Sequence, residues 1–527
     1  MKISGEPLTK IDVITLLFIA FLTFMLVLNW NYLPTAELDT PYHLLMGKMF
    51  ADHDTIMLWD YYEYAPTGRP NLYPPLEHIM LWFIHDLTGA DWWDIGRFIS
   101  LIQYPLPLFA VWFLCKKLFT PVTGLASVVF LSVSEDFWFW QVSVAPTALI
   151  VSLVPFFLYA FYRKKVLISI ILLSSFLYLH LGIPYVVILG IFIFSLFSIY
   201  HTKDYIKQFA VVAGCSALVF LPWIIHILMY RDWIRSSPHG ISDPLSLLVS
   251  FNILTAAFFV VGLVLCVKKA KVDLKYLLIL SAFIGFLGVA VYGWRYRMHS
   301  PIINCVVAGI GFEVIYTKIL AKTRLVSRKK IAAGLLLVLI PLGAFSVALA
   351  SPMTPGGRPQ PAPQFLNQSP PQNQNQPQNQ LQPQQPPPPQ NQLFPQPPRN
   401  QQPFQPPPHQ KQPPKPEPKS TIRVQPSPLL VMFNSLLTGN RPPRMWQITN
   451  PEIDELIQWI IDNTSEDEIL HLHNGMLADY LALFTGRRTD SGMYREVTSS
   501  ELFRTVQEGK KSGILIVERE EFAKAGQ

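Results

Sequence analysis

Long apolar runs separated by short polar loops fill the chain from residue 11 to residue 350. They lie at 11–30, 93–114, 121–134, 145–162, 166–179, 182–200, 208–229, 245–267, 274–292, 301–320 and 331–350. A helix needs about 20 apolar residues to cross the hydrocarbon core of a bilayer. The pattern therefore predicts an α-helical polytopic membrane protein with about eleven transmembrane helices. The runs at 121–134 and 166–179 are short, so their edges are soft. The first run follows a weakly basic start without a small-residue cleavage site, and is expected to remain as an anchor. The segment LEHIMLWFIHDL (76–87) is too short to span and reads as an amphipathic helix lying at the interface.

The pattern then changes twice. Residues 351–430 carry 26 of the 47 prolines, with dense Gln and Asn. Such a segment buries no core and is expected to be a disordered, partly polyproline linker. Fully extended at about 3.1 Å per residue it would reach over about 200 Å. Residues 431–527 return to mixed periodicity. IDELIQWIIDNT (453–464) has a helical period, EILHLHN (468–474) reads as a strand, MLADYLALFTG (476–486) as a helix stopped by Gly486, and GILIVERE (513–520) as a second strand. This predicts a small α/β domain at 431–527 after a membrane domain at 1–350.

Composition supports the membrane reading. The 527 residues are 50% hydrophobic and only 15% charged, against about 25% charged in soluble domains. The mean hydropathy is +0.28. Cys115, Cys215, Cys266 and Cys305 all lie in apolar runs without metal-ligand spacing. The net charge of +7 is unevenly placed, for residues 441–527 hold 10 Lys+Arg against 15 Asp+Glu. Residues 351–440 hold 6 against 1, and the basic excess of residues 1–350 sits beside the spans, so nucleic acid is not an expected partner. Lys116–Lys117, Arg163–Lys164–Lys165, Lys203/Lys207, Lys268–Lys269/Lys271 and the run Lys318 to Lys330 occupy every second loop. The positive-inside rule makes those loops cytoplasmic. The N-terminus is then cytoplasmic, and loop 31–92 and the C-terminal domain are external.

The candidate chemistry lies in the outer loops. ELDTPYHLLMGKMF (37–50) puts Glu37 and Asp39 at the membrane surface, with His43 one helical turn beyond Asp39. Such carboxylates deprotonate an acceptor or bind a divalent metal on a phosphorylated donor. Asp39 before Thr40-Pro41 is equally a helix N-cap, and the two roles are compatible. GRPNLYPPLEH (68–78) brings Arg69, Tyr73, Glu77 and His78 to the same surface, as substrate-binding candidates or as a loop fold with an exposed helix face. SEDFWFWQ (134–141) carries Glu135 and Asp136 among interfacial aromatics. WRYRMHSP (294–301) is a basic loop on the outer side, against the positive-inside pattern, so Arg295 and Arg297 call for an anion such as a lipid phosphate. His180 and His226 read as packing residues, and the pair in HLH (471–473) lacks a third zinc ligand. No Walker or Rossmann pattern is present, which disfavours a nucleotide-driven pump.

Together these motifs resemble the GT-C superfamily of membrane glycosyltransferases, which take sugar from a polyprenyl-phosphate donor. ELDTPYHL is similar to the Asp-Pro-Tyr-Tyr-His-Leu stretch of oligosaccharyltransferase catalytic subunits. GRPNLYPPLEH resembles the Tyr-Pro-Pro-Leu segment of the same loop. RYRMHSP resembles the entry to a late helix in protein mannosyltransferases and aminoarabinose transferases. The likeness covers roughly residues 10–320. It implies that Asp39 is the catalytic carboxylate with Glu37 its neighbour, and that Glu135 or Asp136 is the second acidic motif. It further implies that Arg295 and Arg297 receive the donor phosphate. A divalent metal, Mg or Mn, is a possible cofactor on that resemblance. The string WWDIG (92–96) stands at the entrance to the second span rather than in the C-terminal domain, where oligosaccharyltransferases carry an acceptor motif of similar spelling.

The expected function is transfer of a sugar from a polyprenyl-phosphate or -pyrophosphate donor, delivered within the bilayer, to an external acceptor that is protein, lipid or glycan. A transporter or flippase of lipid-linked sugars is the first alternative, but it needs polar residues inside the spans, where only Glu313 stands out. A non-catalytic surface anchor is the second, and for that one span would suffice.

Overall fold

A computed structural model describes residues 2–3, 6–34, 39–234, 253–291, 293–320, 334, 347–350, 421–424, 428–438, 451–472, 474–493 and 514–515. The catalytic candidate Glu37, most of the run 331–350, nearly all of the segment 351–430 and most of the strand expected at 513–520 lie outside the described residues.

Helices occupy the predicted apolar runs from 11–30 to 301–320. They are α1 (Lys10–Leu28), α4 (Trp92–Gln103), α5 (Pro105–Leu118), α6 (Pro121–Ser132), α8 (Pro146–Tyr162), α9 (Val166–Leu179), α10 (Ile183–Phe197), α11 (Asp204–Met229), α12 (Ile253–Lys269), α13 (Leu274–Leu287) and α15 (Pro301–Leu320). Proline punctuates this set, since Pro105, Pro121, Pro146 and Pro301 each open a helix where a missing N–H costs nothing. Among the described residues, five helical stretches are long and apolar enough to cross a membrane, with α4 and α5 together forming one of them. A sixth is added if α6 and α7 (Glu135–Gln141), bent by 82°, count as one span. Several of the remaining helices are apolar but shorter, so among the described residues five or six spans stand against the expected eleven. The protein is an integral membrane protein.

The bundle core is close-packed. Gly262 on α12 and Gly311 on α15 face one another so closely that a Cβ on either would meet the opposite backbone, the small-residue contact by which membrane helices approach. The loop after α1 forms α2 (Thr40–His53) and the amphipathic α3 (Leu76–Thr88). Leu81 of α3 is buried against Gly47 of α2, while Phe83 and Leu87 are exposed. Between the two helices a hairpin pairs β1 (Trp59–Asp60) with β2 (Arg69–Pro70), placing Asp60 directly opposite Arg69.

After Pro428 the chain forms α16 (Pro428–Thr438), α17 (Pro451–Asn463), β3 (Ile469–His471), α18 (Gly475–Thr485), β4 (Arg488–Thr489) and β5 (Ile514–Leu515). The strands make a parallel sheet with β3 in the centre. Helix α18 starts on Asn474, whose side chain caps two N–H groups, and stops at Gly486 with φ +69. This sheet is docked on the outer loop by backbone bonds. Thr489 donates to the Tyr62 carbonyl at 2.8 Å, and Ala65 donates to the Thr489 carbonyl at 2.8 Å. Trp93 of α4 packs edge-on against Tyr480 of α18, so the WWDIG string serves this contact.

Candidate active site

Asp39 precedes the first turn of α2, with Pro41 just inside the helix. Its carbonyl accepts the His43 N–H at 3.0 Å, but its side chain makes no capping hydrogen bond. The backbone has the start of a capped helix, and the carboxyl group does not serve as the cap. One turn on, His43 is fully buried, and its Nδ1 lies 2.9 Å from Nε2 of His78 on α3. Tyr73, held in the extended Tyr-Pro-Pro entry to α3, sets its ring 5.0 Å from His43 and 5.8 Å from His78. Glu77 is buried in the first turn of α3. Burial, reinforced by the charge of Asp39, raises its carboxyl well above the usual carboxylate range. The two sequence motifs of the loop thus meet at the starts of two helices.

The opposite side of this group comes from distant segments. His180 ends α9, and its Nδ1 accepts N–H groups from Gly182 at 2.8 Å and Ile183 at 3.2 Å. In the neutral ring the proton is therefore assigned to Nε2. The His180 ring is 5.9 Å from Tyr73. Burial and the nearby positive charge of Arg295 push its pKa down to about 3. Arg295 and His299 belong to α14 (Gly293–His299). Burial, then His180 and Arg295, hold the His299 imidazole well below its ordinary pKa. Burial, His78 and His180 do the same for His43, and burial alone takes His78 to about 3. The imidazoles of this cluster are neutral at ordinary pH, and the positive charge comes from arginine.

Arg297 lies on the same short helix, with its Nε 3.5 Å from Asp136 in the first turn of α7. The second acidic motif and the late basic loop are therefore neighbours. Glu135 sits beside Asp136 at the start of α7, half-buried. Arg69 lies in another cluster, because the hairpin turns it back onto its own loop. It pairs with Glu63, lies 3.5 Å from Asp60 and stacks on the ring of Tyr64 at 4.8 Å.

His180 was read from the sequence as a packing residue, and the structure puts it between Tyr73 and Arg295. The available signal was its position immediately before Gly182 and Pro184, at a break between two apolar runs. His226 does pack, with its Nε2 3.0 Å from the Asn71 carbonyl. Among the described residues, no group of three or more His, Cys, Asp or Glu is placed to hold a metal ion. His43 and His78 are instead hydrogen-bonded to each other.

No family model matches the sequence, and no curated protein matches it by sequence. Solved structures do match. The oligosaccharyltransferase of Archaeoglobus fulgidus in its apo form aligns over 96% of this chain and 69% of its own, with a TM-score of 0.60 and 11% identity. The same organism's AglB, in complex with an inhibitory peptide and a dolichol-phosphate, aligns over 92% and 65%, with a TM-score of 0.57 and 11% identity. ArnT from Cupriavidus metallidurans, bound to undecaprenyl phosphate, aligns over 97% and 90%, with a TM-score of 0.52 and 9% identity. The fold is the GT-C fold. The chain spans about two-thirds of the length of the archaeal proteins and nearly all of ArnT. At this level of identity the likeness is one of fold.

Proposed function

We propose that this chain is a membrane glycosyltransferase that moves a sugar from a polyprenyl-phosphate or -pyrophosphate donor to an acceptor on the external face. The observation that carries the reading is that Asp39, Glu77 and Tyr73, at the starts of α2 and α3, meet through the Tyr73–His180 contact the group of His180, Arg295 and His299 from the end of α9 and from α14. An acid and a guanidinium on either side of one set of aromatic rings suit a reaction that removes a proton at one end and releases a phosphate at the other. The GT-C neighbours, one with dolichol-phosphate and one with undecaprenyl phosphate, support the donor class.

In this reading the acceptor's hydroxyl or amide attacks the anomeric carbon while the bond from that carbon to the donor phosphate oxygen breaks. Asp39 takes the acceptor proton or positions the acceptor. The electrons of the broken bond stay on the phosphate, which remains with the lipid, and Arg295 stabilises that charge. Arg297 is partly balanced by Asp136, so it assists Arg295. Tyr73 and the neutral His43–His78 pair shape the sugar site. The described donor atoms do not form a metal site, so no step is routed through a metal. Residues 1–350 form the catalytic membrane part, 351–430 a linker and 431–527 an external domain whose first helix, α16, packs on the bundle, with the N-terminus cytoplasmic.

The test is transfer of radiolabel from a lipid-linked sugar pool in membranes containing the protein. Label appearing on protein, lipid or glycan supports the proposal and names the acceptor class. Label that changes leaflet while remaining on its lipid would replace this reading with the flippase alternative.

A further inference from the structure

We infer that α16 (Pro428–Thr438) is embedded in one leaflet of the bilayer, with lipid acyl chains covering its outer face. Its eleven residues, PLLVMFNSLLT, include no charged side chain. One face, with Leu429, Met432 and Ser435, is buried. Leu429 and Met432 join the core of the membrane bundle, and α16 packs against α1. The opposite face carries Phe433, 48% exposed, and Leu437, 73% exposed, with Leu436 beside them. Asn434 and Thr438 are exposed beside them, but the helix carries no charge and its bare surface is dominated by Phe433, Leu436 and Leu437; an uncharged helix with such a face belongs in a protein core or a membrane. The surface against which it packs decides between these two. Helix α1 is a membrane span whose own outer stripe, Leu17, Phe21 and Phe24, is apolar and exposed. Helix α16 packs on this span, and the solvent of a span's outer stripe is lipid.

The length of α16 fixes the manner of insertion. Eleven residues rise about 16 Å, roughly half of the hydrocarbon thickness. Such a helix enters one leaflet and does not cross. Helix α16 is consequently a membrane anchor at the start of the C-terminal part, closing that part onto the bundle. The backbone bonds between Thr489 and the outer loop agree with that closure.

The experiment uses the full chain in phosphatidylcholine vesicles, in a Cys215→Ser background that removes the half-buried native thiol. Phe433→Cys and Leu437→Cys each carry an environment-sensitive fluorophore, and Asp462→Cys on exposed α17 serves as the aqueous reference. Lipid brominated on its acyl chains is expected to quench the labels at 433 and 437 at least twofold and to leave 462 unchanged. Aqueous iodide is expected to do the reverse. Iodide quenching at 433 and 437 equal to that at 462 would overturn the inference by placing the face in water. Quenching by neither agent would also overturn it, showing that protein, such as a second copy, covers the face. If one variant fails to insert, the other makes the same reading.

Discussion

The backbone N–H of Met493 donates to Oε1 of Glu63 across 2.7 Å, joining residues 430 positions apart. The other oxygen of Glu63 meets Arg69, and Asp60 and Asp479 are buried beside them. Three carboxyl groups share one guanidinium out of water, so they cannot all be ionised. Burial raises Glu63 to about 8 and Asp479 to about 8. Both folded values lie above the ordinary values near 4, so the folded state holds more protons than the undocked state between about pH 4 and pH 8. The cluster's contribution to docking is complete below that window and is lost as pH rises through about 8. Hydrogen exchange of α18 should therefore be slower at pH 6 than at pH 9, and Asp479→Asn should flatten the difference. Equal protection at both pH values in the unsubstituted chain would contradict the assignment.

The same seam makes a steric prediction. A Cβ on Gly492 would run into the Glu63 carboxyl group, which Arg69 and Met493 already fix in place. Gly492→Ala should displace Glu63 and leave Arg69 incompletely paired, at a cost of about 1–3 kcal/mol. Limited proteolysis should then cleave around 486–493 sooner than in the unsubstituted chain, while the membrane bundle stays intact. An unchanged cleavage pattern would mean that the seam relaxes freely.

What the sequence discloses and what it conceals follow from contact range. Asp39-Thr40-Pro41 as a helix start, Tyr73-Pro74-Pro75 as the entry to the helix that follows and Gly486 as a helix stop are local rules, and all three stand in the structure. Arg69 was grouped with Tyr73, Glu77 and His78 because it is close to them in sequence. The hairpin register sets it opposite Asp60 instead, and register depends on a turn that proximity does not show. His180 meets Tyr73 and Asp136 meets Arg297 only through packing of distant helices. No local pattern distinguishes a histidine at such a junction from a packing histidine. Glu37 lies outside the described residues, so its role rests on the motif alone.

The two arginines of α14 should separate in kinetics. Arg297 faces Asp136 at 3.5 Å, whereas Arg295 acts on His180 and His299 within the site. Removing a charge-assisted hydrogen bond to phosphate costs about 1.5–3 kcal/mol. Arg295→Ala should accordingly raise the KM for the lipid donor by roughly 10- to 150-fold and leave the acceptor KM nearly unchanged. Arg297→Ala should have the smaller effect on the donor, and Asp136→Asn should partly restore it. Steady-state kinetics in detergent with each substrate varied in turn decides the matter. A larger donor effect at Arg297 would exchange the two roles.

Asp39 is where the structural and catalytic roles part most clearly. Its side chain caps nothing, so Asp39→Asn should change the stability of α2 by no more than a few tenths of a kcal/mol. A lost general base costs about 10²–10⁴-fold in rate. Normal insertion, an unchanged melting profile and nearly abolished transfer are therefore expected together. Glu77→Gln supplies the contrast. Burial and the Asp39 charge already favour the protonated form of Glu77, and an amide of the same shape replaces a protonated carboxyl with little loss, so this variant should keep most of its activity. Glu37→Gln should likewise do less than Asp39→Asn. If Asp39→Asn transfers sugar at close to the original rate while Glu77→Gln is inactive, the base is Glu77, and Asp39 acts only by tuning it.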